Sequence, residues 1–137
     1  MLERFTAPEP TPALDAMWLS VTTADDLVAP PLFLAECTSV LSVETLFKRI
    51  EAERARAVIA EVLHFGIRIV TRTDIYPRAY DMARALGWGK AYDALYLATA
   101  ELEGAELLTL DGGMGEAAGR LGVRCVVVGG SGPAAAS

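Results

Sequence analysis

Histidine is nearly missing from this 137-residue chain, which has His64 alone, and its two cysteines, Cys37 and Cys125, fall in different predicted elements. With no CxxC pair and no second imidazole, a zinc site of the usual Cys/His type does not fit. The two thiols are expected to be buried in a reducing cytoplasm. No apolar run approaches the ~20 residues needed to span a bilayer. The N-terminal stretch carries charges and three prolines, Pro8, Pro10 and Pro12, where a secretory leader needs an apolar segment. A cytoplasmic protein with no membrane association is the expectation. Positive charge is also scarce: 12 Lys and Arg against 18 Asp and Glu leave a net charge of −6. That excludes a simple basic coat for nucleic acid. It does not exclude an enzyme acting on nucleic acid, because carboxylates that gather cations reverse the local field. No Gly-rich P-loop, GxSxG or HExxH pattern is present.

What the chain has is apolar mass, 53% of its residues with a mean hydropathy of +0.33, enough for one domain with a real core. Thr11 and Pro12 read as the start of a helix reaching Val21. Residues 27–29 form a short apolar burst closed by Pro30-Pro31, a brief buried strand. A helix over 31–47 comes next, with the stripe Leu32, Val40, Val43 and Phe47, and Glu36 where another apolar residue is expected. Residues 49–63 repeat a helical pattern, Gly66 ends it, and 67–70 alternate as a strand. Thr73 resembles an N-cap for a helix stopping at Gly87, and another helix runs over 91–103. Residues 107–110 are a buried-strand candidate leading into Asp111. A Gly112-Gly113 turn, a short helix and a strand over 123–128 complete a domain of residues 1–128, with a frayed tail at 129–137. Alternating strands and helices predict an α/β fold with a mainly parallel sheet.

Three carboxylates stand out. Glu36 lies on a helical apolar stripe, where a charge is costly unless paired, protonated or metal-bound. Asp93 opens a helix, a place that favours acids through the helix dipole alone. Asp111 closes a strand, where sites form in parallel sheets, though Asp-Gly is also an ordinary turn pair. Converging at one sheet edge, the three would suit Mg²⁺ or Mn²⁺, which prefer hard oxygen ligands. Such a pocket would activate water for attack on a phosphodiester. Asp15, Asp25 and Asp26 are weaker candidates for the same pocket. Lys48, Arg49, Arg72 and Lys90 are candidate phosphate contacts, Lys90 foremost because it lies just before Asp93. Leu46, Phe47 and Ile50 offer apolar surface for a partner or for the core.

Ala91 to Ala98, followed by Leu108-Thr109-Leu110-Asp111, resembles the C-terminal signature of PIN domains of the VapC toxin type. Val28 to Glu36, followed by Ser39-Val40-Leu41, resembles that family's second conserved block. The resemblance spans about residues 2–128. It implies a three-layer α/β/α fold and a Mg²⁺- or Mn²⁺-dependent ribonuclease, often dimeric and often paired with an antitoxin. Glu36, Asp93 and Asp111 match three of the family's four usual acids, and Thr109 matches the hydroxyl residue beside the last. Residues 2–10 resemble the segment just after the family's first strand, and that strand ends in the fourth acid. The expectation is therefore either a start upstream of Met1 or a degenerate module that binds RNA or a partner without cutting. A flavodoxin-like ligand-binding domain is the remaining alternative, and it requires a phosphate loop that the sequence does not show.

Overall fold

A computed structural model describes residues 19, 21–23 and 26–128. The described residues fall into two compact units divided between Ile69 and Val70. The predicted first helix lies mostly outside them; residues 21–23 are helical, with Val21 buried. The tail from 129 lies outside them as well.

In the first unit, β1 (Val28–Ala29) ends at two prolines, the second of which stands at the N-cap of α1 (Leu32–Leu46). Proline lacks the N–H a ladder needs but is well placed at a helix start. Then come α2 (Ala52–His64) and β2 (Arg68–Ile69), and β1 pairs with β2 in parallel, Val28 opposite Arg68 and Ala29 opposite Ile69. Parallel neighbours need a long crossover, which the two helices supply. Leu41, Ala55, Val58 and Val62 are buried together, with Phe33, Leu34, Ile50 and Ile59 packed against them.

The buried face of α1 is not the stripe expected from spacing. Cys37 and Leu41 are buried, whereas Val40 and Val43 are exposed and Phe47 is 63% exposed. The helix is apolar on nearly every side, so periodicity alone selects no face. Glu36, one position from Cys37, is half-buried on the flank rather than on the core stripe. Ile50 belongs to the core, while Leu46 and Phe47 remain surface.

The second unit runs through α3 (Ile75–Leu86), α4 (Tyr92–Glu103), β3 (Leu107–Thr109), α5 (Gly112–Leu121) and β4 (Cys125–Val127). Asp74, not Thr73, occupies the N-cap of α3, and Pro77 fits its first turn. Ile75, Ala79, Met82 and Ala83 make its buried face, as the 3.6-residue period demands. α4 packs against it. The small residues Ala94, Ala98 and Ala100 on α4 are buried around a fully buried Leu97. Thr99, also buried, donates its hydroxyl to the Leu95 carbonyl at 2.7 Å, so no lone polar group is left inside. Arg78 grips Glu101 through two bonds of 2.6 and 2.8 Å and joins the two helices. β3 and β4 pair in parallel, Leu107 to Cys125 through Thr109 to Val127, with α5 as the crossover. Neither Cys37, which is buried, nor Cys125, which is half-buried, is in a disulfide among the described residues. Among the described residues no helix is long and apolar enough to cross a membrane.

Candidate functional site

Asp111 leaves β3 with extended backbone and becomes the N-cap of α5. Its Oδ1 accepts from the Gly113 N–H at 2.8 Å, and its carbonyl accepts from the Gly115 N–H at 3.2 Å. The Asp111 N–H donates to Thr109 Oγ1 at 3.0 Å, so the threonine hydroxyl fixes the chain that carries the acid. A side-chain oxygen on an orphan helix N–H is worth about 1 kcal/mol and places a negative charge at the positive helix end. Gly112 and Gly113 are the first helical residues rather than a turn before the helix. A Cβ on Gly113 would sit 3.2 Å from Asp111 Oδ1, so a side chain there would crowd the carboxylate. Sequence reasoning missed this role for Gly113, although an acid followed by two glycines at a strand end was visible. Asp111 Oδ2 has no hydrogen-bond partner among the described residues.

Asp93 is the second residue of α4, exposed, with no hydrogen bond or ion pair among the described residues. Topology places it at the same end of the second unit as Asp111. From Asp93 to Glu103 the helix climbs about 15 Å, and the chain then reverses at Gly104. From Leu107 to Asp111 it returns by about 13 Å, with β3 in contact with α4. The two carboxylates therefore lie at the same end of the unit. Lys90, exposed and in no ion pair among the described residues, precedes Asp93 by three positions.

Glu36 belongs to the first unit, so of the acids expected from the sequence only Asp93 and Asp111 share a unit, together with Thr109. Among the described residues no three His, Cys, Asp or Glu side chains form a metal-holding group. The pair in the second unit nonetheless fits a hard cation. Mg²⁺ is commonly held by one or two carboxylates and keeps several waters. Asp93 and the Oδ2 of Asp111 both offer uncommitted oxygens.

Of the other candidates, Asp26 pairs with Arg68 at 3.0 Å, while Asp15 and Asp25 lie outside the described residues. Arg49 is held by Glu44 and Arg72 by Asp74, each through two bonds of 2.7 to 2.8 Å, which leaves Lys48 and Lys90 without an ion pair among the described residues, Lys90 in the same unit as Asp93 and Asp111. These hydrogen bonds hold the Glu44 and Asp74 carboxyls below their ordinary range and raise both guanidinium pKa values. Burial, and then the nearby Glu106, push the Cys125 thiol up, so it is the less reactive thiol form.

Compared with known families, the chain matches the PIN domain over residues 4–120. It belongs to the PIN-domain family. No curated protein matches it significantly. The fold class is the α/β of PIN domains, a three-layer α/β/α architecture of nuclease type, and the short parallel strands and abundant helix agree with it. PIN domains generally use divalent metal ions and typically bind RNA.

Proposed function

We propose that this PIN domain is a metal-dependent endoribonuclease of the VapC toxin type. Asp93 carries the reading: an exposed acid with no side-chain partner among the described residues, at the same end of its unit as a second acid whose Oδ2 also has none among them. In this scheme Asp93 and Asp111 hold Mg²⁺ or Mn²⁺, and Glu36 is the third acid that the sequence offers. A bound ion would neutralise charge at the phosphodiester and make attacking water more acidic. Thr109 holds the Asp111 main chain, and the Gly113 N–H aims one carboxylate oxygen, leaving the other for the cation. Lys90 meets an RNA phosphate near the carboxylates. The exposed Val40, Val43, Leu46 and Phe47 of α1 support a protein partner, either a second copy in a homodimer or an antitoxin helix. Two cysteines without a disulfide among the described residues fit a reducing cytoplasm.

The test is a calorimetric Mn²⁺ titration with a parallel RNA cleavage assay, comparing the chain with Asp93→Asn. Saturable binding and cleavage in the wild type, both lost in a variant folded by circular dichroism, are expected. Equal metal binding and cleavage by the variant would remove Asp93 from the site. A second reading, a PIN module that binds RNA without cutting it, is supported by the commitment of Asp111 Oδ1 to the helix cap. It predicts RNA binding by the wild type with no product at any Mn²⁺ concentration.

A further inference from the structure

Three of the four tyrosines in the chain, Tyr76, Tyr80 and Tyr92, are exposed, and all lie between α3 and the start of α4. Tyr76 and Tyr80 stand at i and i+4 on one face of α3, Tyr80 62% exposed, and Arg84 continues the row at i+8 with its guanidinium 5.9 Å from the Tyr80 ring centre. The row points along the helix toward the 87–91 connection, which carries Lys90 and leads into Tyr92 and Asp93. A large ring left in water forfeits the burial that aromatic side chains usually gain, and here two successive turns leave one out.

Three cations at this end form no ion pair among the described residues, as is also true of Lys48, Arg56 and Arg124 elsewhere. Arg49, Arg54, Arg68, Arg72 and Arg78 are all in ion pairs. Arg84 instead donates to the Trp88 carbonyl, Arg120 reaches the Ala85 carbonyl at 3.5 Å, and neither they nor Lys90 form an ion pair among the described residues. The Ala85 contact brings the Arg120 guanidinium to the C-terminal end of α3. In a chain of net charge −6, three cations without an ion pair among the described residues stand where the aromatic row ends. Attraction to the helix C-terminus explains an arginine there, but it does not explain the tyrosines. Asp81, the exposed acid of α3 next to Tyr80, lies about 100° round the helix from it.

We propose that the Tyr76–Tyr80–Arg84 face of α3 is a stacking track for single-stranded RNA, with Arg84, Lys90 and Arg120 meeting its phosphates and delivering it toward Asp93. It rests on the nuclease reading for its destination, though not for its binding chemistry. Unpaired bases stack on aromatic faces whatever their sequence, and cations follow the backbone beside them. A duplex keeps its base faces inside the stack and cannot use such a row.

The test measures fluorescence anisotropy of a labelled 12-nucleotide RNA, single-stranded and as a duplex, with EDTA present to prevent cleavage. The full chain is compared with Tyr76→Ala/Tyr80→Ala and Tyr76→Phe/Tyr80→Phe, folding being checked by circular dichroism. The alanine variant is expected to lose roughly tenfold or more in affinity for the single strand, and the phenylalanine variant, which keeps both rings, about none. Equal binding by the alanine variant, equal loss on the duplex, or loss by the phenylalanine variant would overturn the track. So would a change in native mass of the alanine variant with RNA binding intact, which would mark the face as a protein contact. Cleavage in Mn²⁺ separates the two ideas. Ring-dependent binding without cleavage keeps the track and removes the nuclease. Metal-dependent cleavage with ring-independent binding does the reverse.

Discussion

The helices α1 and α4, one in each unit, end in the same hydrogen-bonded motif by different means. In α4 the Ala105 N–H bonds back to the Ala100 carbonyl at 2.8 Å across Gly104, whose φ is +63°. In α1 the Arg49 N–H bonds back to the Glu44 carbonyl at 2.9 Å across Lys48, whose φ is +56°. Glycine accepts that left-handed conformation freely, and lysine does so at a cost of roughly 1–2 kcal/mol. The strain at Lys48 is held by its surroundings: Arg49 grips the Glu44 side chain twice at 2.8 Å and lies 5.2 Å over the Phe47 ring. The end of α4 is thus specified by the backbone freedom of one residue, and the end of α1 by contacts among several.

The largest effect that tests this contrast comes from the cores. Leu97→Ala in α4 and Leu41→Ala in α1 each remove a fully buried side chain. Each is expected to lower stability by about 2–5 kcal/mol in denaturant unfolding. A much smaller loss for Leu41→Ala would mean that the first unit collapses around the cavity and is the softer of the two. Next, Asp111→Ala should cost about 0.5–2 kcal/mol through the lost cap, whereas Asp93→Asn should stay within about 0.5 kcal/mol. Thermal melts of the two variants separate an acid the fold uses from one it does not. Exchanging the helix stops comes third: Gly104→Ala should destabilise by about 1 kcal/mol and Lys48→Gly should stabilise by up to about 1 kcal/mol. A destabilising Lys48→Gly would show that the lysine side chain makes a contribution larger than its backbone strain.

The smallest effect is that of the α3–α4 clamp. The Arg78 hydrogen bonds depress the Glu101 pKa, so its contribution to stability is complete above the unfolded value near 4.3 and fades as pH falls through the lower folded value. Facing solvent, the pair is worth under about 1 kcal/mol. Wild type and Glu101→Gln should therefore differ slightly at pH 7, and the difference should shrink below about pH 4. A gap that persists in acid would assign the loss to packing instead.

Much of this was legible in the residues. The elements from β1 onward track the apolar spacing, the prolines and the glycines to within a few positions. α3 presents the face its periodicity implies, whereas in α4 the buried Leu97 lies off the expected face of Leu95, Ala98, Thr99 and Leu102. Asp93 and Asp111 were legible as well, because a helix start and a strand end are local events. The face of α1 was not legible, since a helix apolar all round has no preferred side until something packs on it. Nor was the start of α5 at Gly112, where Asp-Gly-Gly reads as a turn until the Asp111 carboxylate is seen to cap it.

The sequence by itself determined the order of strands and helices, the stops at Gly87, Gly104 and Gly122, and the family, because each rests on interactions within a few residues of chain. Only tertiary structure decided which side of α1 is buried, that Lys48 tolerates a left-handed backbone, and that Arg78 and Glu101 meet across 23 positions. It also decided that Arg120 reaches α3. Those outcomes depend on groups distant in sequence arriving at one place, and no local pattern encodes that arrival.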